Sequence, residues 1–224
     1  MAKIICVYRR REPLGRGRAD AALITALAHL VVPAVAELEV LLPLADDPLR
    51  VCGGVVNDRL SAVAILTVRC GEPLSAAQEV FEALAATIPA RGGTDCALAV
   101  LHQRPFKPAP ASGIHYLYFM KRKAGWCRAD YSDYYTNHHF SFGLETRGIG
   151  YVQNDVDAEE TAALAARFDA RSISCDSVSE MRFASIEGFF AANDVPELGG
   201  RAAADEAHFV DRAASGAVSL VAAS

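Results

Sequence analysis

The chain has 224 residues, 52% of them hydrophobic, and 22 Lys and Arg residues oppose 27 Asp and Glu residues for a net charge of −5. This length and apolar content can bury one sizeable core or two of roughly 110 residues each. The acidic balance, with basic residues scattered outside 9–11 and 121–123, argues against nucleic acid as a partner.

The cysteines and the apolar stretches indicate a reducing compartment and no membrane span. No two of the six cysteines form a Cys-x-x-Cys pair, and most lie in apolar, strand-like runs, which is typical of reduced, buried thiols. The apolar run before Arg9 is too short for the core of a signal peptide. The longest apolar run, 21–36, is interrupted by Pro33 and closed by Glu37 before it reaches the ~20 residues that a bilayer requires. We therefore expect a cytoplasmic protein with no membrane partner.

The first half of the chain reads as alternating strands and helices. Apolar, β-branched runs predict strands, and the Ala- and Leu-rich segments that follow Asp20 and Pro73 predict helices. In order, they are a strand at 3–8, a helix at 20–31, strands at 35–42 and 61–68, a helix at 74–88 and a strand at 96–101.

A proline-rich segment follows this β-α-β-β-α-β order. Three prolines fall within 105–113, which favours an extended connector, so we place a linker at 105–112 between halves at 1–104 and 113–224. The second half predicts the same order with two additional helical segments. It has strands at 114–120, 149–156, 176–183 and 217–221, and helices at 128–139, 158–170, 185–190 and 205–211.

The two halves also share a short sequence pattern. Arg-Ala-Asp followed by a histidine occurs at Arg18 with His29, and again at the same spacing at Arg128 with His139. The repeated pattern predicts an α+β fold of two tandem ferredoxin-like (βαββαβ) units. Each unit leaves one sheet face uncovered, so we expect the two sheets to form a dimeric-type α/β barrel within one chain. The alternative is that each half covers its sheet with another molecule.

The second copy of the pattern differs from the first because it carries phenols and imidazoles. Tyr131, Tyr135 and His139 are four residues apart and lie on one face of a helix, with Tyr134 and His138 on the adjacent strip. Imidazole titrates near neutral pH, so His139 is a candidate general acid or base. Two structural explanations stay open: a histidine that stabilises a helix C-terminus, and tyrosines that only pack against the sheet.

A metal site in this stretch receives little support. His138 and His139 point about 100° apart on a helix, so they cannot share one ion, and we expect no metal. A lone histidine can ligate haem iron, which leaves haem as an open alternative to a site without a cofactor. Arg122, at the end of a strand beside the helix, is either a binding group for a substrate anion or an ordinary surface arginine.

The stretch from Phe119 to His139, in which a strand ending in Lys-Arg-Lys leads to Tyr131, Tyr135 and the histidine, resembles the opening of EthD domains. Segments that resemble the same family follow in the same order at 150–154, 176–183 and 204–212. The resemblance covers 113–224, whereas the first half matches only in pattern and in His29. We expect that half to be a degenerate copy and mainly a scaffold.

The resemblance implies a ferredoxin-like fold that assembles as a dimeric α/β barrel. EthD proteins are named for a role in degrading ethyl tert-butyl ether, and relatives in polyketide and aromatic metabolism carry hydroxylase or dehydratase assignments. The family name by itself does not imply one reaction.

Together these observations predict a cofactor-free enzyme that acts by acid/base chemistry on a small apolar, aromatic or polyketide-like molecule. His139 is expected to move a proton, and Tyr135 and Tyr131 to orient the substrate. The further residues expected to bind the substrate are Tyr134, His138 and Arg122. Dehydration, cyclisation and oxygenation all fit this arrangement. The alternative is a small-molecule carrier or a partner of a separate oxidase, and the whole chain could also pair as a homodimer.

Overall fold

The structure is a computed structural model that describes residues 2–10, 35–68, 94–110 and 113–223. Its strands within these ranges are β1 (Ala2–Arg10), β2 (Val35–Pro43), β3 (Leu60–Val68), β4 (Thr94–Lys107), β5 (Ile114–Met120), β6 (Ile149–Asp157), β7 (Arg171–Ser172), β8 (Ser177–Phe183) and β9 (Gly216–Ala222). Its helices there are α1 (Arg128–Tyr134), α2 (Phe140–Glu145), α3 (Ala158–Arg167), α4 (Ile186–Ala192) and α5 (Val195–Phe209). A π-helical segment (Tyr135–His139) joins α1 to α2. The fold is α+β, as the sequence predicts.

Eight of the nine described strands close into an antiparallel β-barrel. Their order is β1-β3-β2-β9-β5-β8-β6-β4, and β4 pairs in turn with β1. The short β7 pairs with β4 in parallel at Ala97 and Leu98. The strand order within each half is the same: β4-β1-β3-β2 in the first and β9-β5-β8-β6 in the second. The halves meet along two seams, β2 with β9 and β4 with β6.

The barrel interior is an apolar core to which both halves contribute. Every second side chain of a strand points to the same face. In β1 the inward residues include Ile5 and Val7, and in β5 they include Leu117 and Phe119. All four are at most 2% exposed. Because burial of one such side chain contributes about 1.5–3 kcal/mol relative to exposure, this shared core favours closure of the barrel.

A charged cluster lies on the same inward face, beyond the apolar core. Lys3 Nζ of β1 lies 2.7 Å from Glu180 Oε2 of β8, and both residues are buried. Arg182 Nε lies 3.0 Å from Glu180 Oε1, and Arg182 Nη2 lies 2.8 Å from Glu39 Oε2 of β2. Burial raises the pKa of Glu180, but Lys3 and Arg182 outweigh this effect and hold the pKa below its ordinary value. The pairs Lys3–Glu180 and Glu39–Arg182 each connect the first half to the second.

The outer face of the second half's sheet is covered by helices. Met120 of β5 packs there against Tyr131 and Tyr135, together with Phe209 and Val210 at the end of α5. All five residues are at most 2% exposed. This apolar layer holds α1, the π-helical segment and α5 against the sheet, and the candidate site is built into it.

Two of the predicted helices cannot be compared with the structure. The helices at 20–31 and 74–88, together with His29, lie outside the described residues. The predicted linker, 105–112, begins within a strand, because β4 continues through Lys107 and pairs there with β6.

The helix predicted at 205–211 is present, but its predicted start is wrong, because α5 begins at Val195 and ends at Phe209. Its N-cap is Asp194, whose carboxylate accepts a hydrogen bond from Glu197 N. Gly199 and Gly200 lie within α5 and interrupt the helical pattern in the sequence, since one glycine costs about 1 kcal/mol in a helix interior. No described helix is long and apolar enough to cross a membrane.

The predicted burial of the cysteines holds for some positions and is wrong for others. Cys6 and Cys175 are buried, whereas Cys52 and Cys127 are exposed, and all four are free thiols. Cys127 lies outside any strand and is the N-cap of α1.

Candidate functional site

The candidate residues lie on one continuous helical segment from Arg128 to Glu145. It begins at Cys127, whose Sγ accepts a hydrogen bond from Asp130 N at 3.3 Å. The π-helical turn at Tyr135–His139 is of a kind that is rare overall and frequent at functional sites. The helix continues through the six residues of α2 after this turn. His139 therefore does not stabilise a helix C-terminus, and that explanation is wrong.

Tyr131, Tyr135 and His139 form a row along one face of this helix. The ring centroids of Tyr131 and Tyr135 are 6.2 Å apart, and those of Tyr135 and His139 are 6.1 Å apart. Phe209 covers the row from α5, with its centroid 5.5 Å from that of Tyr131 and 5.2 Å from that of His139. The two tyrosines are at most 1% exposed and His139 is 8% exposed. The row is thus part of the packed layer between helix and sheet.

The phenols of this row keep their protons at neutral pH. Tyr131 Oη lies 2.6 Å from Ser177 Oγ, whereas the buried Tyr135 Oη has no hydrogen-bond partner among the described residues. Beside it, Gln153 Nε2 donates to Tyr135 O at 2.8 Å and to Tyr151 Oη at 2.9 Å. Burial raises the pKa of Tyr131 and of Tyr135 well above the ordinary value. Both phenols can therefore make hydrogen bonds, but neither acts as a phenolate.

His139 is held by a carboxylate from α5. His139 Nδ1 lies 2.8 Å from Asp205 Oδ2, and Tyr134 Oη donates to Asp205 Oδ1 at 2.6 Å. Burial lowers the pKa of His139, although the Asp205 carboxylate acts in the opposite direction. The imidazole is therefore neutral at pH 7. With Nδ1–H donating to Asp205, the lone pair of Nε2 is free to accept a proton.

The free nitrogen of His139 has a second carboxyl group beside it. His139 Nε2 lies 3.9 Å from Glu206 Oε1, and Tyr118 Oη donates to Glu206 Oε2 at 3.2 Å. Burial raises the pKa of Glu206 to about 7, although the Arg212 guanidinium, 3.9 Å away, acts in the opposite direction. A neutral base thus lies beside a carboxyl group that is partly protonated near pH 7. Such paired groups with shifted pKa values are typical of acid–base sites.

Asp205 and Glu206 were not singled out by the sequence. They lie in the segment 204–212, which resembles EthD domains, and two adjacent carboxylates in an Ala-rich helix are the signal that points to them. Asp205 is 66 residues from His139 along the chain. Only the fold brings these two side chains into contact.

The other predicted binding residues have different surroundings. The hydrogen bond from Tyr134 to Asp205 raises the pKa of Tyr134 to about 12, and the ring of Tyr134 stacks on that of the exposed His138 with centroids 5.0 Å apart. Arg122 Nη1 lies 3.6 Å from Asp176 Oδ1, and Arg122 N donates to Asp176 Oδ2 at 3.0 Å. Tyr134 is thus connected to the site through Asp205, whereas Arg122 is paired with Asp176.

One group of potential metal ligands lies elsewhere on the surface. His102, Asp157 and Glu160 bring ligand atoms within 4.8 Å of one another. His102 Nε2 and Asp157 Oδ2 already form a hydrogen bond at 2.9 Å, and Asp157 Oδ1 accepts from Glu160 N as the N-cap of α3. These contacts give the group a structural role at the start of that helix.

Among the surface cavities formed by described residues, two well-defined ones have no contribution from His139. One has a volume of about 260 Å³, and its lining includes Glu145, Asn193 and Arg201. The other has a volume of about 330 Å³, and it is lined by Arg9, Asn57, Asp58, Arg59, Asp95 and Arg171.

Known proteins share this fold. A Fusobacterium nucleatum protein provisionally described as a monooxygenase has a crystal structure that matches with a TM-score of 0.58 and 10% identity, over 99% of this chain and 92% of that chain. A Lactobacillus acidophilus protein of the same description matches with a TM-score of 0.51 and 11% identity, over 99% and 94% of the two chains. Identities this low show a common fold and no more. No curated protein matches the chain.

The family match coincides with the site. The family described as the EthD domain matches residues 123–213. This range contains the row of Tyr131, Tyr135 and His139, and it also contains Asp205 and Glu206. Residues 123–213 of this chain therefore form an EthD domain.

Proposed function

We propose that this protein is an enzyme that processes a small molecule by acid–base chemistry, with His139 as the base and Glu206 as the acid. The observation that carries the proposal is the contact of His139 Nδ1 with Asp205 at 2.8 Å, which leaves Nε2 free and 3.9 Å from Glu206. One group is neutral and the other has a pKa of about 7, so both can exchange protons near neutral pH.

The two groups suit a reaction in which one proton is removed and another is supplied. His139 Nε2 takes a proton from a carbon beside a carbonyl group or from a phenol. The imidazolium that forms is stabilised by the Asp205 carboxylate on its other nitrogen. In a dehydration, protonated Glu206 gives its proton to the hydroxyl group that leaves as water. Proton transfer from positioned groups contributes typically about 10²–10⁴-fold to the rate.

The surroundings of His139 favour an apolar or aromatic substrate. The rings of Phe142 and Phe209 lie 5.3 Å and 5.2 Å from the imidazole, centroid to centroid. Tyr135 and Tyr131 are at most 1% exposed, so in the proposal they orient the substrate through the position that they give His139, and Tyr134 acts through Asp205. His138 and Arg122 stay predicted binding residues at the rim. Both structural relatives are provisionally described as monooxygenases. Oxygenation of a phenol that His139 deprotonates, with dissolved O₂ as the oxidant that supplies one oxygen atom and is reduced at the other to water, is therefore included in the proposal beside dehydration and cyclisation.

The proposal is for a site without haem. Iron would have to bind His139 Nε2, which lies 3.9 Å from Glu206 Oε1 and beside Phe209 of α5. A porphyrin would fit there only after displacement of α5. Purified protein is expected to have no Soret band in its visible spectrum, and such a band would contradict this part of the proposal.

We also propose that the chain is a tandem duplication of a ferredoxin-like unit, with the boundary at 105–112 and a functional second copy. The shared strand order of the two halves supports this reading. A homodimer of the whole chain remains part of the proposal, and light scattering coupled to size-exclusion chromatography tests it.

The acid–base role is tested without knowledge of the natural substrate. Wild-type protein in D₂O is incubated with a panel of small ketones, 1,3-dicarbonyl compounds and phenols, and deuterium incorporation is followed by mass spectrometry. We expect exchange above the buffer rate for part of the panel, and His139→Ala to lower it by about 10²–10⁴-fold. His208→Ala is the matched control, because His208 is exposed and also lies on α5.

Equal exchange by wild-type protein and His139→Ala would contradict the role of His139. Saturable binding of a panel compound without exchange, retained by His139→Gln, would instead support the small-molecule carrier. Asp205→Asn adds an independent readout, since loss of the carboxylate should lower the pKa of His139 further, as measured by NMR titration.

A further inference from the structure

A second charged region lies at the C-terminal end of β1 and the start of β4, away from the helical segment that carries His139. Its cavity of about 330 Å³ is lined by three arginines, two aspartates and one asparagine. The arginines come from separate parts of the chain: Arg9 from β1, Arg59 from the residue before β3, and Arg171 from β7. The fold therefore brings three positive charges to one concave surface.

The carboxylates of this cavity do not neutralise all three arginines. Arg171 Nη2 pairs with Asp95 Oδ2 at 2.8 Å. Asp58 is 93% exposed and lies 3.7 Å from Arg50. Arg9 and Arg59 form no ion pair with any carboxylate of the described residues. Arg9 Nε is also buried and has no hydrogen-bond partner there.

The arginines of the cavity are close enough to affect one another. Burial lowers the pKa of Arg9, and the positive charges of Arg171 and Arg59 lower it further, while Asp95 acts in the opposite direction. Like charges that repel in the free protein are stabilised when an anion binds between them.

The matching region of the second half has a carboxylate at its centre. Met120 of β5 faces Ser177 of β8, which puts the buried Asp176 beside the basic residues that follow β5. Asp176 lies 3.1 Å from Lys121 Nζ and 3.6 Å from Arg122 Nη1. Asp176 also lies 3.8 Å from Arg128 Nη1, so one buried carboxylate pairs with three cations at the end of β5.

Among the described residues of the first half, no carboxylate lies at the position of Asp176 on β3, although Asp95 of β4 faces Arg9 from the other side. Tyr8 of β1 faces Ala62 of β3, and Arg9 faces Leu60 across a bulge. Leu60 and Ser61, which are uncharged, thus occupy the position that corresponds to Asp176. The residue before them is the cation Arg59.

We propose that this cavity binds a small oxyanion of the phosphate class, with Arg9, Arg59 and Arg171 as its binding groups. Guanidinium groups present paired N–H donors that match the oxygens of a phosphate group. Arg9 and Arg59 have no ion pair among the described residues, which favours a doubly charged anion over a singly charged one. The volume of about 330 Å³ also accommodates a phosphate ester of a small organic molecule.

The test is isothermal titration calorimetry of the full chain with inorganic phosphate and with pyrophosphate, at low chloride because exposed charges are screened by salt. We expect saturable binding with one site per chain. Arg59→Asp and Arg9→Gln should each weaken it at least tenfold. Arg201→Gln is the matched control, since Arg201 is an exposed arginine that pairs with Glu145 at 2.6 Å in the other cavity. Circular dichroism melting confirms that each variant is folded.

Two outcomes overturn the proposal: unsaturable heats with the wild-type protein, or equal affinity in Arg59→Asp. Acetate that binds as tightly as phosphate would contradict the preference for a doubly charged anion. His139→Ala should bind phosphate as wild-type protein does. Failure of the acid–base proposal and failure of this one are therefore seen in separate experiments.

Discussion

The two halves of the barrel share a strand order and differ in the side chains that they place outside the common core. On the outward face of β1, the first half has Ile4 and Cys6, whereas the corresponding positions of β5 in the second half are Tyr116 and Tyr118. Tyr118 donates to Glu206, within the candidate site. At the strand ends the contrast is one of charge, because the second half has the buried Asp176 and the described residues of the first half have no carboxylate at that position of β3.

The closure of the barrel and the chemistry of the candidate site therefore depend on different residues. Closure requires only inward-facing apolar side chains such as Ile5 and Leu117, which both halves supply. Function depends on a few outward or terminal side chains, which the halves do not share. Substitutions at Lys3, Glu206 and Asp176 test this difference between the halves.

The largest effect on stability is expected at the buried Lys3–Glu180 ion pair, which connects the two halves. Lys3→Met leaves the buried Glu180 carboxylate without its lysine partner, and loss of one member of a buried ion pair costs about 3–5 kcal/mol. Urea denaturation should show this loss in the free energy of unfolding. In the matched double variant Lys3→Met with Glu180→Leu, most of the loss should be recovered, since no buried charge is left unpaired. If the single and double variants are equally unstable, the lysine acts through packing and the ion pair does not connect the halves.

The next effect depends on pH and belongs to the second half. Burial raises the pKa of Glu206 from an ordinary value of 4.5 to about 7. Between these values the native state keeps a proton that the unfolded state has lost, so the stability of the wild-type protein falls as the pH rises from about 4.5 to 7. The Glu206→Gln variant has no carboxyl group at this position, so its stability should not fall in this way as the pH rises. Relative to wild type, the variant should gain about 2–3 kcal/mol between pH 4 and pH 8.

Chemical denaturation at both pH values measures the Glu206 effect. Exposed Glu159 is the control position, and Glu159→Gln should leave the pH dependence unchanged. A constant stability difference between wild type and Glu206→Gln across this range would show that Glu206 titrates normally, which would remove the proposed acid.

The smallest effect concerns the carboxylate that distinguishes the two strand ends. Asp176→Asn removes the negative charge near Lys121, Arg122 and Arg128 but keeps an oxygen for Arg122 N. Hydrogen bonds to charged groups contribute about 1.5–3 kcal/mol, so we expect a loss of about 2 kcal/mol in thermal or urea unfolding. The variant should also acquire weak phosphate binding in its second half. Full stability without new anion binding would mean that the charge difference between the halves has no consequence.

Much of the fold could be predicted because strand patterns are local. The predicted strand at 114–120 has the bounds of β5, and those at 35–42 and 149–156 differ from β2 and β6 by one residue. Alternation with period 2 is carried by neighbouring residues, which makes it readable from the sequence. By contrast, α5 was predicted far too short, because Gly199 and Gly200 weaken its local pattern and its packing through the buried Phe209 is a long-range contact.

The candidate site also has one part that the sequence predicts and another part that it does not. The row of Tyr131, Tyr135 and His139 follows from four-residue spacing on a helix, which is a local property. Asp205 and Glu206 could not be placed beside it, since their contacts join residues more than 60 positions apart.

The sequence by itself determined the alternating strands, the α+β class, the aromatic row and the EthD resemblance, all of which depend on residues close together in the chain. Contacts between distant segments close the barrel, leave Nε2 of His139 as the free nitrogen and raise the pKa of Glu206 to about 7. The same contacts leave Arg9 and Arg59 without an ion pair among the described residues. The reason is physical: burial and electrostatic interactions depend on which distant segments meet, and period and spacing carry no information about that.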